Sequence, residues 1–208
     1  MPCCQLTSAS FPCQLVLPNA QCPGIAYAAP LEANTSIVVL AGSTTPIPLP
    51  RTEYPDPITS LISRSLDAFS TSLLSSACGR DLFSHVSSCL DCYTAYRDWL
   101  CRIAVPQCAS SLTLDALNPA QTIARTTANP RVADITPPYA YTELLPCLST
   151  CNRADRQCPA FMAFRCPRRR ANADQSYAFL GVGSDDGDGS EDTGPTALDR
   201  WGNRWCNG

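Results

Sequence analysis

Apolar residues recur at helical spacing in the middle of the chain. Asp56 followed by Pro57 is a typical helix start, because the aspartate caps free amide groups and the proline fits the first turn. Gly79 is a typical helix end. The apolar positions between them fall on one face, which predicts a helix with a buried stripe. These positions are Ile58, Leu61, Ile62, Leu66, Phe69, Leu73 and Leu74.

Two further helices are predicted, for residues 88–104 and for residues 141–157. Pro106 prevents the second helix from continuing, because proline has no amide hydrogen to donate. Cysteines lie on the inner face of both helices, so we expect disulfides to tie the helices to each other and to loops. Residues that are three, four or seven positions apart lie on one face of a helix. On the second helix these are Cys89, Cys92, Tyr96, Trp99 and Ile103, and on the third they are Cys147, Cys151 and Cys158.

Residues 1–50 lack this periodicity and are predicted to be irregular, with brief extended segments at 13–18 and 36–40. The proline-rich residues 45–57 are expected to form an extended linker. Residues 184–192 are acidic and rich in glycine and serine, with almost nothing to bury, so we expect them to be mobile.

These patterns divide the chain into two predicted parts. Residues 1–55 would form an irregular, cysteine-containing N-terminal segment with a proline-rich linker. Residues 56–208 would form a helical cysteine-rich domain with a mobile acidic loop at about 184–193. The predicted fold class is therefore mainly α and disulfide-rich, with long irregular loops.

The cysteine content indicates that the protein folds in an oxidising compartment. The chain has 14 cysteines in 208 residues, a density that is typical of proteins crosslinked by disulfides in oxidising compartments. We expect about seven disulfides, with a pairing that the sequence leaves open. The candidate disulfide residues are Cys3, Cys4, Cys13, Cys22, Cys78, Cys89, Cys92, Cys101, Cys108, Cys147, Cys151, Cys158, Cys166 and Cys206.

Metal binding and catalysis are both poorly supported. Cys89 and Cys92 form the only CxxC pair and His85 is the only histidine, so zinc ligands of the usual kind are lacking. No GxSxG motif accompanies His85. The order of aspartates and glycines in residues 184–192 does not match the ligand spacing of a calcium loop. We therefore expect no metal, no cofactor and no enzymatic activity.

The charge pattern indicates protein partners. The net charge of −3 argues against nucleic acid. The run Arg168, Arg169 and Arg170 is a candidate contact with an acidic partner surface, and Arg97 and Asp98 are further candidates.

Features of a secreted surface agree with the cysteine content. Asn34 begins an N-x-[ST] triplet and is a candidate glycosylation site. The longest apolar stretch, residues 36–42, is far shorter than the roughly 20 residues of a membrane helix. The first residues lack the basic and apolar regions of a signal peptide, so we expect a leader to have been removed.

Four segments together resemble a known family. They are 22–30 (CPGIAYAAP), 89–108 (CLDCYTAYRDWLCRIAVPQC), 146–167 (PCLSTCNRADRQCPAFMAFRCP) and 205–208 (WCNG). This combination resembles the extracellular cysteine-rich part of fungal Mid1, the regulatory subunit of the Cch1 high-affinity calcium channel. It is similar, more distantly, to the animal auxiliary subunit of the sodium leak channel. The third segment also resembles the cysteine-rich domain of Frizzled receptors.

The resemblance implies a Frizzled-like cysteine-rich helical domain without a pore. It implies a regulatory subunit on the extracellular face of the plasma membrane, reached through the secretory pathway. Such a subunit would bind a four-domain, Cch1-like pore-forming α-subunit and would support its assembly, surface delivery and calcium influx. A Frizzled-like module that binds a secreted or lipid ligand is the alternative.

Overall fold

The computed structural model describes residues 13–31, 37–38, 47–48, 52–76, 78, 84–109, 122–125, 141–168, 172–173, 176–178 and 206–208. Three α-helices lie within them: α1 (Asp56–Ser76), α2 (Cys89–Ala104) and α3 (Leu148–Gln157), and a 3₁₀ turn (Ala160–Met162) follows α3. The strands are β1 (Gln14–Val16), β2 (Tyr27–Ala29), β3 (Ile37–Val38), β4 (Ile47–Pro48), β5 (Gln107–Cys108), β6 (Thr122–Arg125) and β7 (Tyr141–Leu144).

Helix α1 begins at Asp56, with Pro57 in its first turn, as the sequence predicts. It ends at Ser76, and Gly79 lies outside the described residues. Leu74 differs from the rest of the predicted stripe, because its side chain is 62% exposed. The buried members of the stripe are Ile58, Ile62, Leu66, Phe69 and Leu73.

Helix α2 has a defined cap at each end. The Asp91 N–H donates to Ser88 Oγ at 3.2 Å, and the Ser88 N–H donates to Asp91 Oδ2 at 2.9 Å, which is a capping box. At the other end the Val105 N–H donates to the Cys101 carbonyl at 2.9 Å, just before Pro106. The predicted second helix is confirmed, to within one residue at its start.

The third predicted helix is wrong over its first half. Residues 141–144 form β7 instead, and α3 begins only at Leu148. Pro146 is the physical reason, because a proline inside a helix lacks the amide donor and its ring clashes with the carbonyl four residues earlier.

β7 is the central strand of an antiparallel sheet with the order β5-β7-β6. It carries Glu143, whose side chain is only 2% exposed, and Arg125 Nε on β6 donates to Glu143 Oε2 at 2.6 Å. A buried carboxylate requires such a partner, since an unpaired buried charge is strongly destabilising. This ion pair therefore fixes β6 against β7.

Two more antiparallel pairs, β1 with β2 and β3 with β4, precede the helices in the chain. The described residues therefore combine three helices with seven short strands in three sheets, which is a mixed fold. The predicted mainly α, Frizzled-like helical fold is wrong for this reason. Strand pairing joins residues far apart in sequence, and helical periodicity does not detect it.

The N-terminal residues share their core with the helices. Val16, Ile25 and Tyr27 pack in one apolar cluster with residues of α1 and α2. Burial of these side chains contributes about 1.5–3 kcal/mol for each large aliphatic residue. The division of the chain at residue 55 stays a prediction.

Six disulfides join twelve of the fourteen cysteines, and Cys3 and Cys4 lie outside the described residues. The expectation of a disulfide-crosslinked chain is confirmed. The pairs are Cys13–Cys108, Cys22–Cys101, Cys78–Cys89, Cys92–Cys158, Cys147–Cys206 and Cys151–Cys166.

Candidate partner-binding cleft

An open cleft of about 310 Å³ lies where the connection between β1 and β2 meets α2 and α3. Four of its eight lining residues carry charged or hydroxyl-bearing side chains. The lining residues are Cys22, Pro23 and Gly24 from the connection, Thr94, Arg97, Asp98 and Cys101 from α2, and Arg153 from α3.

Helix α2 forms the floor of the cleft. Thr94, Arg97, Asp98 and Cys101 follow one another at steps of three, one and three residues, which places them on one helical face. The Cys22–Cys101 disulfide brings the β1–β2 connection to this face, with a Cα–Cα distance of 5.7 Å. Two segments that line the cleft are therefore linked covalently.

Asp98 is the central charged group. Its Oδ1 lies 3.4 Å from Arg102 Nε, and its Oδ2 lies 3.7 Å from Arg153 Nη1. A Cβ atom built on Gly24 would stand 2.9 Å from Asp98 Oδ1. Glycine at this position thus lets the carboxylate approach the β1–β2 connection, and a larger residue would push it away.

Arg97 has a different environment. Its guanidinium lies over the ring of Tyr93, 5.8 Å from the ring centroid, in a cation–π contact. Within the described part of the chain it forms no ion pair with a carboxylate. Arg97 therefore presents an uncompensated positive charge to the cleft.

A buried hydrogen-bond network supports the cleft from behind. Arg102 Nη1 donates to Asn207 Oδ1 at 3.1 Å, and Asn207 Nδ2 donates to the Tyr27 hydroxyl at 3.1 Å. The Tyr27 hydroxyl in turn donates to the Val105 carbonyl at 2.6 Å. Burial raises the pKa of Tyr27 above its ordinary value of 10.0, although the hydrogen bond from Asn207 acts in the opposite direction. The network joins β2, α2 and residues 206–208.

The structure brings two of the residues predicted as partner contacts, Arg97 and Asp98, into the cleft. Arg168 is exposed and does not line it; its N–H donates to Asn172 Oδ1 at 2.8 Å. The remaining predicted positions, Arg169, Arg170, Asn34 and the acidic loop at about 184–193, lie outside the described residues.

Sequence reasoning missed other residues of the cleft and of the hydrogen-bond network behind it. Gly24 and Tyr27 lie in the segment 22–30, and Asn207 lies in the segment 205–208. Both segments carried the family resemblance, and their convergence on α2 is the signal that could have found them. Arg153 also lies in a segment that carried the resemblance, residues 146–167, but nothing in the sequence of its own helix indicates that it faces Asp98.

The described residues meet neither the requirements of a metal site nor those of a membrane-spanning helix. They contain no group of three histidine, cysteine or acidic side chains arranged to hold a metal ion. Cys89 and Cys92 are each engaged in a disulfide, with Cys78 and Cys158 respectively. None of the described helices combines the length and apolar character needed to cross a membrane.

Six disulfides, a mixed fold and a charged cleft define a disulfide-crosslinked module of the kind that forms in oxidising compartments. The chain belongs to the Mid1 family, because the family model described as a stretch-activated Ca²⁺-permeable channel component matches residues 4–191. The resemblance to the Mid1 family found in the sequence is confirmed.

Three fungal relatives show how much of the family this chain represents. It is 53% identical to the stretch-activated cation channel MID1 of Cryptococcus neoformans over a 218-residue alignment, which covers 96% of this chain and 35% of the relative. It is 32% identical to MID1 of Saccharomyces cerevisiae, covering 53% of this chain and 21% of the relative. It is 29% identical to yam8 of Schizosaccharomyces pombe, covering 46% and 19%.

The chain thus spans about a third of the length of the Cryptococcus relative, and less of the other two. No solved structure matches it.

Proposed function

We propose that the chain is an extracellular, non-pore part of a calcium-permeable channel complex. It binds the extracellular loops of a four-domain, Cch1-like pore-forming α-subunit and supports its assembly, surface delivery and calcium influx. The observation that carries this proposal is the match to the Mid1 family model over residues 4–191, nearly the whole chain.

The disulfides support the extracellular position. Disulfides persist in the secretory pathway and outside the cell, whereas the cytosol keeps thiols reduced. Six of them cross the described part of this chain. The chain would reach the outer face of the plasma membrane through the secretory pathway and remain there by binding the channel.

The names of the relatives point away from catalysis, because all three are called stretch-activated cation channels. We therefore propose that the chain has no enzymatic activity. The chain would act through a preorganised binding surface. Side chains that are already ordered before contact reduce the entropic cost of binding.

Affinity purification of the tagged protein from membranes in mild detergent tests the proposal. We expect a four-domain cation channel α-subunit among the recovered proteins, and we expect calcium uptake to fall when the protein is deleted. An unrelated tagged surface glycoprotein, purified in parallel, identifies nonspecific recovery. Failure to recover any channel, from protein shown to be at the cell surface, would contradict the proposal.

A further inference from the structure

We propose that the cleft binds a carboxylate side chain presented by an acidic loop of the partner protein. Arg97 and Arg153 would hold the carboxylate, and the hydroxyl of Thr94 would donate a hydrogen bond to it. This inference deepens the proposed function, on which its identification of the partner rests.

The charge of the cleft is opposite to that of the whole chain. Arg97, Arg153 and Arg102 place three positive charges in or directly behind the cleft, against the single carboxylate of Asp98. The chain as a whole carries a net charge of −3. A local positive site on a negative protein attracts acidic groups selectively at one position.

The two arginines in the cleft keep donors available for a ligand. Arg97 has no carboxylate partner in the described part of the chain, and its guanidinium contacts the Tyr93 ring, 5.8 Å from the ring centroid. Arg153 is 43% exposed and lies 3.7 Å from Asp98 Oδ2. That distance is longer than the 2.7–2.9 Å of a charge-assisted hydrogen bond.

Thr94 stands one helical turn from Arg97 on the same face of α2. Its hydroxyl makes no hydrogen bond with the residues that the structure describes. A guanidinium fork beside a hydroxyl donor matches a carboxylate, whose two oxygens accept several hydrogen bonds at once.

The cleft is held in shape before any ligand arrives. The Cys22–Cys101 disulfide fixes the β1–β2 connection, and Cys92–Cys158 fixes α2 against the end of α3. Asp98 lies between Arg102 and Arg153, with its Oδ1 3.4 Å from Arg102 Nε. An incoming carboxylate therefore meets a rigid, positive site, which favours binding.

Charge reversal in the purified protein tests the inference directly. The probes are a glutamate-rich decapeptide and its glutamine counterpart, with binding followed by fluorescence anisotropy at low salt. We expect the protein to bind the glutamate peptide in preference to the glutamine peptide. The double variant Arg97→Glu with Arg153→Glu should bind it at least about tenfold more weakly, and wild-type binding should weaken as salt is added.

Arg64→Glu is the matched control, because Arg64 is an exposed arginine of α1 outside the cleft and the charge change is the same. Arg97→Lys separates charge from geometry, since lysine keeps the charge and loses the guanidinium fork. Disulfide mapping of each variant establishes that it is folded. Equal binding of the two peptides by the wild type, or equal binding by the double variant and the wild type, would overturn the inference.

The same variants in cells separate the inference from the proposed function. Loss of channel recovery in the double variant, with recovery retained in Arg64→Glu, is the expected result. If the wild type recovers the channel and the double variant recovers it equally well, the channel binds elsewhere and the inference fails while the proposed function stands. Reduced binding of the double variant to phosphatidylserine vesicles, with channel recovery unchanged, would assign the cleft to lipid headgroups and also overturn the inference.

Discussion

Tyr27 is the residue that ties the N-terminal strands to the rest of the molecule. Its hydroxyl donates to the Val105 carbonyl and accepts from Asn207, a residue that is fully buried. Because burial raises the pKa of Tyr27, the neutral hydroxyl is the stabilised form. Its contribution is complete below the unfolded pKa of about 10 and declines above that pH, as ionisation of the unfolded tyrosine is favoured.

The variant Tyr27→Phe removes both hydrogen bonds and leaves two buried polar groups without their partner. We expect the free energy of unfolding to fall by about 1–3 kcal/mol, measured by denaturant unfolding at neutral pH with the disulfides intact.

Tyr54→Phe is the control for Tyr27→Phe. The Tyr54 hydroxyl is also buried, and it has no hydrogen-bond partner in the described structure. Burial raises the pKa of Tyr54 to about 12. Removing this hydroxyl should leave stability unchanged or raise it. Equal destabilisation by the two substitutions would show that the network around Tyr27 contributes nothing beyond packing.

Among the elements, α2 connects the described parts of the fold, because it contacts α1 and α3 and forms the floor of the cleft. Its first turn depends on the capping box of Ser88 and Asp91. Hydrogen bonds from the Ser88 hydroxyl and from the Ser88 N–H hold the pKa of Asp91 below its ordinary value of 3.8. The charged form of Asp91 is therefore the one that stabilises the helix.

We expect Asp91→Asn to lower the midpoint of thermal unfolding by a few degrees at pH 7, since the cap loses its charged acceptor. The folded pKa is depressed, so the contribution of Asp91 is present above about pH 4 and is lost as the pH falls through the folded value. The difference between variant and wild type should shrink accordingly once the pH is below the lowered pKa of Asp91.

Calorimetry across this pH range checks the prediction for Asp91. Asp67→Asn, at an exposed position in the interior of α1, changes the same charge away from a cap. A difference from wild type that stays constant from pH 7 to pH 2 would contradict the assignment to the capping box.

The helices also show what the sequence can predict. α1 and α2 are bounded by local signals, namely Asp56-Pro57 at one start, Ser88 at the other and Pro106 after α2. β7 depends on pairing with β5, more than thirty residues earlier, and on the Arg125–Glu143 ion pair. Nothing in the sequence of its four residues indicates these partners, and a helix is therefore predicted there.

The residues of the cleft also differ in whether local sequence could predict them. Arg97 and Asp98 are charged positions on a predicted helix, and the sequence was sufficient to nominate them. Gly24 and Arg153 reach Asp98 only through folding, from residues 74 positions before it and 55 positions after it. The sequence shows which residues of the cleft are charged, but it does not show that the fold brings them together.

At the scale of the whole molecule the disulfides decide stability. In the chain-entropy account, a crosslink stabilises more when it closes a longer loop. Cys147–Cys206 spans 59 residues, and Cys151–Cys166 shortens that loop only slightly, whereas Cys78–Cys89 spans 11 residues. Replacing the first pair by serine should lower the free energy of unfolding by about 4 kcal/mol, and replacing the second by about 2–3 kcal/mol.

Denaturant unfolding of the two double-serine variants checks this order. The shorter-loop pair serves as the control for the longer one, because both variants lose one disulfide and gain two hydroxyls. A larger loss from the Cys78 and Cys89 variant would contradict the loop-length argument.

The connectivity of the disulfides also sets how far the chain can be drawn out by a pulling force. Between Cys13 and Cys206 the covalent route runs through Cys13–Cys108, Cys92–Cys158 and Cys147–Cys206, with only the segments 92–108 and 147–158 between them. That route contains about 27 residue steps and extends to about 110 Å, against about 650 Å for the uncrosslinked chain. A force applied between Cys13 and Cys206 would therefore lengthen the module little and would be transmitted to a bound partner.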